Sequence, residues 1–267
     1  MDLFRLNGRT AVVTGALGLI GKEHCKALSE AGANVIVADL EVSQCAKFAS
    51  SLQTESIGCY LDVTNPDSIK KLRDVALTKF NHIDILVNNA AINDMFENPK
   101  AASEQSKFEN YPLELWQKSI DVNLTGVFLC SQILGSEMAK QKSGSIINIA
   151  STYGITAPDQ SLYKKVDGTQ SFYKPPAYSA TKGAVIMFTR FLASYWGSSG
   201  VRVNTLSPGG VENSQDEFFI SRYSAKTPLG RMAQPTDYKG ALIFLASDAS
   251  SYMTGSNLII DGGWTCW

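Results

Sequence analysis

The chain has 267 residues, a hydrophobic content of 44% and a formal net charge of −1. It is long enough to fill the core of one large domain. Its near-zero charge, with no run of five or six like charges, gives nucleic acid or an anionic membrane no electrostatic handle, so a small molecule is the expected partner. Five scattered cysteines and only two histidines, His24 and His82, argue against a disulfide framework or a zinc site and for a reducing, cytoplasmic compartment. No apolar stretch approaches the roughly 18 residues of a membrane span, and the N-terminus lacks a secretory apolar segment.

Short β-branched runs alternate with longer amphipathic stretches. TAVVTG predicts the first strand and Leu19 to Ala31 the first helix; NVIVADL with Glu41 to Leu52, and SIGCYLDV with Pro66 to Phe80, predict the next two pairs. IDILVNNA follows, then a helix over Leu113 to Lys140, SIINIAS, a helix over Ala177 to Trp196, VRVNTLS, a helix near Thr236 to Ala246 and NLIID. Short apolar strands spaced by helices are the mark of βαβ units feeding a parallel sheet. The expected fold is α/β: one doubly wound, Rossmann-like domain over residues 1–267, with about seven parallel strands and helices on both faces. Two polar segments rich in Tyr, Phe and Lys, 93–112 and 157–176, break the alternation. They leave the carboxyl ends of strands, and fit either active-site loops or surface excursions.

The first strand runs into TGALGLIG, with glycines evenly three apart at Gly15, Gly18 and Gly21 rather than in G-x-G-x-x-G spacing. Backbone N–H groups and the helix N-terminus there would face an anion, although a purely structural turn has the same appearance. Asp39 ends the second strand, where its carboxylate would either accept hydrogen bonds from an adenosine ribose or cap the next helix. A carboxylate there repels a 2′-phosphate, and neither Ala16 nor Leu17 supplies a cation, so NAD(H) is expected in preference to NADP(H).

From Thr10 to Gly263 the chain resembles the short-chain dehydrogenase/reductase family. The matching pieces occur in the family's order: the Gly-rich turn, Asp39, Asp62-Val63, Asn88-Asn89-Ala90-Ala91, Asn123, Ser151, Tyr178-Ser-Ala-Thr-Lys182 and Pro208-Gly209. In most such enzymes the turn reads T-G-x-x-x-G-x-G; here Gly18 sits one place early and Leu19 replaces the middle glycine. The even spacing is similar to the family's extended members, many of which act on nucleotide sugars. The resemblance implies a dinucleotide held by Gly15, Gly18, Leu19, Ile20 and Gly21, by Asp39 and Leu40, and by Asp62 and Val63 against the adenine. Asn88, Asn89, Ala90 and Ala91 would lie beneath the adenosine, and Tyr178, Lys182, Pro208, Gly209, Val211 and Asn213 toward the nicotinamide. Residues 211–231 would form a mobile lid, with Arg222, Tyr223 and Arg231 read as solvated surface.

Carbonyl reduction needs a proton donor beside the oxygen and a second donor to hold it. Tyr178 and Lys182 lie at i and i+4 on a predicted helix, so the ammonium can stand near the phenol and pull its pKa down toward working pH. That pair gains meaning from Ser151, which closes SIINIAS at the carboxyl edge of the sheet, although a strand-end Ser is by itself more often a turn or cap residue. The resemblance implies that Ser151 holds the substrate oxygen, Tyr178 transfers the proton, Lys182 also bonds the nicotinamide ribose, and Asn123 positions a water relaying protons to Lys182. The plainer role for Asn123 is a polar kink residue. No metal is expected, because the hydride chemistry belongs to the nicotinamide.

Within PDQSLYKKVDGTQSFYKPP, the side chains of Tyr163, Lys164, Lys165, Tyr173 and Lys174 would bring aromatic faces and cations near the site. Such a set suits a sugar, a phosphorylated compound or a carboxylate better than a bare steroid or fatty chain. A hydroxylated, sugar-derived substrate of carbohydrate metabolism is expected, with 3-oxoacyl thioester reduction as the rival and a cofactor-binding scaffold or regulator as the non-enzyme alternative. A nucleotide-sugar epimerase would need a substrate domain after IIDGGWTCW. The helix Ala177 to Trp196 is apolar around much of its circumference, so it is deeply buried or packs on another subunit. The family resemblance implies a homotetramer, or a homodimer. Trp264, Cys266 and Trp267 would reach a neighbour or cover the sheet edge.

Overall fold

The computed structural model describes residues 2–93 and 102–267. Its strands are β1 (Thr10–Thr14), β2 (Asn34–Asp39), β3 (Ile57–Tyr60), β4 (Ile85–Asn88), β5 (Gly144–Ile149), β6 (Val201–Pro208) and β7 (Asn257–Ile260). They form one seven-stranded sheet in the order β3-β2-β1-β4-β5-β6-β7, with every neighbouring pair parallel. Among the described residues the helices of eight or more residues are α1 (Leu19–Glu30), α2 (Val42–Ala49), α3 (Pro66–Phe80), α4 (113–141), α5 (Pro176–Trp196), α6 (Glu217–Ala225) and α7 (Lys239–Ala246). No helix among the described residues is long and apolar enough to cross a membrane.

Successive strand residues point to opposite faces, and both faces are apolar. Ala11, Val13, Val35, Val37, Ile85 and Val87 pack with α1, α2 and α7, whereas Val12, Ile36, Leu86, Ile146 and Val203 pack with α3, α4 and α5. Because both sides are covered, the strands read as continuous apolar runs. Strand order reverses at β1 and β4, so the loops leaving their carboxyl ends diverge and open a crevice.

Local chemistry sets the element ends. The Asn65 side chain caps α3 by accepting from Asp67 N at 2.9 Å, Pro66 occupies its first turn, and Asn81 closes it in the left-handed region at φ 68°. The strand expected over SIGCYLDV stops at Tyr60, because the Asp62 carboxylate accepts from Thr64 N at 2.9 Å and turns the chain. Helix α2 is shorter than the expected Glu41 to Leu52: the hydroxyls of Ser50 and Ser51 donate back to Lys47 O and Phe48 O and finish it. Helix α4 spans the expected stretch but contains two π-helical turns, Asp121–Thr125 and Ser131–Gly135.

The two breaks in the alternation meet each other. Residues 94–101 of the first lie outside the described residues; beyond them, the Ser106 hydroxyl accepts from Tyr173 N of the second at 2.9 Å. The second packs Leu162 and Tyr163 into a cluster with Tyr223, Met232 and Trp264, sealed by an ion pair between Lys226 and Asp159. Segment 157–176 is thus built against α6 and is no loose excursion.

Candidate functional site

At the end of β1 the chain turns through Gly15 at φ +60°. A Cβ there would lie 2.7 Å from Ala90 Cα, and one on Gly21 would lie 2.3 Å from the Gly15 carbonyl oxygen. Backbone meets backbone at both places, so the turn requires these two glycines in their observed spacing. Gly18 is the N-cap of α1 and offers no side-chain cap, which leaves the first amides of the helix open to a ligand. The Thr14 hydroxyl accepts from Asn89 N and Ala90 N, both at 3.0 Å. In return the Asn89 amide donates to Thr14 O at 3.0 Å and Gly15 O at 2.9 Å. These bonds lock the loops after β1 and β4 into one rigid floor.

A cavity of about 860 Å³ lies over that floor, lined by the glycine turn with Leu19 and Ile20, by Asp39 and Leu40, by Asp62 and Val63, and by Asn89, Ala90 and Ala91. Asp39 accepts from Leu17 N at 2.9 Å and from Leu40 N at 2.8 Å. The N-cap of α2 is Glu41, without a side-chain bond, so Asp39 is not that helix's cap. Asn88 does not join the floor. It is buried and donates to Ser131 Oγ at 3.1 Å and Asn148 Oδ1 at 2.8 Å, because neighbouring strand residues face opposite sides.

Ile20, Asn89, Ala91 and Asn93 also line a second cavity, of about 260 Å³, so the two form one elongated crevice. Asn93 Oδ1 is buried at this junction with no hydrogen-bond partner among the described residues, an acceptor that a bound group would satisfy. An extended groove with exposed helix amides, a ribose-type carboxylate and an orphaned acceptor fits a dinucleotide.

The smaller cavity gathers Ser151, Tyr178, Lys182, Pro208, Gly209 and Val211. Ser151 leaves β5 and accepts from Tyr153 N at 3.1 Å, so it caps a turn and lines the same cavity as the Tyr178 phenol. One helical turn on, Lys182 Nζ donates to Ile149 O at 2.7 Å and stands 5.8 Å from the Tyr178 ring centroid. Burial lowers the Lys182 pKa to about 8. The expected downward pull on Tyr178 does not prevail: desolvation holds the phenol above its ordinary value, and the Ser151 hydroxyl works against that rise.

Asn123 lies outside both cavities, in the first π turn of α4, with Oδ1 accepting from Ile92 N at 2.8 Å and Nδ2 donating to Ile92 O at 3.0 Å and Thr181 Oγ1 at 3.5 Å. It ties the loop after β4 to α4 and to the residue before Lys182. Asn213 also lies outside: it is exposed, and its N–H donates to Gln215 Oε1 at 2.6 Å, while Gln215 itself lines the smaller cavity.

Tyr153, Tyr163, Lys174, Phe219, Tyr223 and Met232 complete the wall of that cavity. Tyr223 is only 4% exposed, not solvated surface; its hydroxyl accepts from Gly210 N at 2.7 Å and its ring stacks on Trp264 at 4.2 Å. The i, i+4 pair Phe219 and Tyr223 was a legible apolar stripe in the presumed lid. Arg222 donates to Ser161 Oγ at 3.3 Å, and Arg231 pairs with Asp237 at 2.6 Å. Of the insertion residues, Lys164 and Lys165 are exposed and away from the cavity, and at the C-terminus Cys266 and Trp267 are exposed while Trp264 is buried.

Known proteins match this architecture along its length. Residues 15–265 match the family model described as enoyl-(acyl carrier protein) reductase. The chain is 35% identical to the 3-alpha-(or 20-beta)-hydroxysteroid dehydrogenase of Mycobacterium bovis, over 97% of its own length and 90% of the relative's. It is also 35% identical to the 2-dehydro-3-deoxy-D-gluconate 5-dehydrogenase of Bacillus subtilis, over 98% and 97%. A crystal structure of a gluconate 5-dehydrogenase from Burkholderia cenocepacia, in complex with NADP and tartrate, superposes with a TM-score of 0.86 at 31% identity, covering 100% of this chain and 98% of that one. With its parallel sheet and these relatives, the chain belongs to the short-chain dehydrogenase/reductase family, as an oxidoreductase acting on hydroxyl and keto groups.

Proposed function

We propose that the protein transfers hydride between NAD(H) and a secondary alcohol or ketone, with hydroxylated, sugar-derived compounds as preferred substrates. The observation that carries this reading is the grouping of Ser151, Tyr178 and Lys182 at one end of a crevice whose other end holds Asp39. The nicotinamide, when bound, supplies or accepts the hydride. The chain's own residues do the rest. Ser151 and Tyr178, which line one cavity, would share the substrate oxygen; Tyr178 would donate its proton during reduction and take one during oxidation. Lys182, held by the Ile149 carbonyl and titrating near pH 8, would pass that proton onward. Asn123 would fix the α4 and α5 contact behind it. The amides opening α1 would bind phosphates, and the Asp39 oxygens would accept from the adenosine ribose and repel a 2′-phosphate.

The sugar-type preference is supported by the polar groups of Tyr153, Lys174 and Gln215 in the wall of the cavity that holds Ser151 and Tyr178. The names of the Bacillus and Burkholderia relatives point the same way. A homotetramer, or a homodimer, is supported by α5, whose Met187, Phe191 and Tyr195 form an i, i+4, i+8 stripe exposed by 61%, 60% and 66%. A cytoplasmic location is supported by five cysteines that are all free.

The test follows absorbance at 340 nm with NAD and NADP forms against polyols, sugar acids and a 3-oxoacyl thioester. Tyr178→Phe serves as the blank. Turnover of hydroxylated compounds with NAD(H), abolished in the variant, is expected. Turnover of the thioester alone would overturn the substrate reading, and dinucleotide binding without any turnover would favour the scaffold.

A further inference from the structure

The turn after β5 brings a second phenol to the substrate end. Tyr153 stands two residues beyond Ser151, and its hydroxyl shares a hydrogen bond of 3.0 Å with that of Tyr163, from the insertion 157–176. Both side chains are buried and both line the cavity that holds Ser151 and Tyr178. Each is held in place by its surroundings. Tyr153 N donates to Ser151 Oγ at 3.1 Å, and a Cβ on Gly154 would lie 2.7 Å from the Lys182 carbonyl carbon, so the turn is seated directly on α5. The Tyr163 ring packs against Phe172 and Phe219, with centroids 4.8 Å and 5.7 Å away. Asp159 accepts from Ser161 N at 2.9 Å to start the short turn that ends at Tyr163, and pairs with Lys226 at the end of α6. The two hydroxyls therefore meet at a fixed place beside the reacting groups.

A count of hydrogens shows what this pair offers. Two hydroxyls carry two O–H donors, and their mutual bond uses one. The other O–H has no acceptor among the described residues. An apolar group seated against it would cut it off from water and leave it unpaired, which costs binding. A ligand hydroxyl would instead accept from the spare O–H and donate to a phenol oxygen, closing a short chain of mutually polarised bonds. Both phenols stay neutral at working pH, because burial pushes Tyr153 up to about 12 and Tyr163 upward as well. They suit a neutral hydroxyl partner. Of the two, Tyr153 is the more open, at 9% exposure against 4%, and it hangs from the turn that carries Ser151.

Resting on the hydride-transfer reading of the preceding section, we propose that Tyr153 is a specificity-determining residue that binds a second hydroxyl of a polyol or hydroxyketone substrate, with Tyr163 as its positioning residue. The reacting oxygen then lies at Ser151 and Tyr178, and a hydroxyl on a nearby carbon meets Tyr153. The substrate class narrows to compounds with a free hydroxyl close to the reacting carbon, and it leaves out apolar secondary alcohols and unsubstituted acyl chains.

Threitol and 2-butanol separate these cases, because both have a four-carbon chain with a secondary alcohol and only threitol carries further hydroxyls. Each is titrated by calorimetry into protein saturated with dinucleotide, and each is offered for turnover. Wild type is expected to bind threitol at least about tenfold more tightly than 2-butanol. Tyr153→Phe removes one oxygen and keeps the ring; it should raise the threitol Kd about 10- to 100-fold and lower the preference for threitol over 2-butanol by the same factor. Tyr163→Phe frees the Tyr153 hydroxyl without removing it and should lower that preference by about 3- to 10-fold, which tests the pair even where Tyr153→Phe folds poorly. The double variant should lie within about threefold of Tyr153→Phe, since Tyr163 acts through Tyr153. Equal wild-type affinities, no binding of threitol below about 100 mM, or equal loss of both ligands in Tyr153→Phe would overturn the proposal, the last because a merely structural role weakens both together. Binding needs no turnover, so the two readings fail separately. A protein that holds threitol through Tyr153 but oxidises nothing refutes the hydride-transfer reading alone; one that oxidises 2-butanol as well as threitol, with or without the Tyr153 hydroxyl, refutes this proposal alone.

Discussion

Lys174 makes a quantitative prediction about stability. Its pKa falls from 10.5 to about 7 in the folded protein because burial disfavours the charged form. Between those values the folded state binds fewer protons than the unfolded chain, so wild-type stability should rise with pH through this window. Below about pH 7 the folded protein carries the full cost of the buried charge, with a ceiling of about 5 kcal/mol at ~1.4 kcal/mol for each tenfold change. Lys174→Met removes that cost and loses contacts of the amine, among them those with the Tyr153 and Tyr178 rings, worth about 1–2 kcal/mol together. The expected result is a variant more stable than wild type by about 2–3 kcal/mol at pH 6, or roughly 4–10 °C in Tm. That advantage should shrink by ~1.4 kcal/mol per pH unit above pH 7 and reverse by pH 9.5. Urea unfolding of both proteins at pH 6, 7.5 and 9, fitted with a common m-value, measures the difference, and Lys182 cancels because both proteins keep it. A difference that stays flat from pH 6 to pH 9 would refute the account of Lys174 as a buried, desolvated amine.

Three further outcomes follow from the dinucleotide end. Thr14→Ala strips the acceptor from Asn89 N and Ala90 N and should cost about 2–4 kcal/mol in chemical denaturation; a loss under about 0.5 kcal/mol would mean water replaces the hydroxyl freely. Gly21→Ala drives a Cβ to 2.3 Å from the Gly15 oxygen, so the turn must shift; NADH affinity, followed by fluorescence titration, should fall at least about tenfold, and wild-type affinity would show that the turn does not shape the site. Asp39→Ala removes the acceptor bonded to Leu17 N and Leu40 N, and the ratio of kcat/KM for NAD(H) over NADP(H) should drop at least about tenfold. An unchanged ratio would sink the role given to Asp39.

Much of the candidate site lies within local patterns. Gly15 and Gly21, Asp39 and Ser151 all sit at or just past strand ends, and sheets of this kind bring such positions to one edge. Tyr178 and Lys182 meet because a helix repeats every 3.6 residues. Asn213 lies in loop 211–216, which has no such periodicity: Ser214 adopts φ 57°, and Gln215 rather than Asn213 lines the cavity. Asn88 was misplaced by one residue of strand alternation, which sends it into the core and its neighbour Asn89 to the floor.

What the sequence determined by itself is the repeating part: seven strands, their parallel pairing, helices on both faces, and the carboxyl-edge positions of Ser151 and Asp39. Hydrogen-bond periodicity and burial on both sheet faces write that pattern into consecutive residues. Only the tertiary structure decided that residues 157–176 close over α6, that Tyr223 is buried beneath Trp264, and that Lys174 rather than Lys164 or Lys165 reaches the Tyr178 ring. Those outcomes depend on which distant segments desolvate one another. The cost of burying a charge, which also keeps the Tyr178 pKa above its ordinary value, is a property of that three-dimensional enclosure and has no spacing along the chain to betray it.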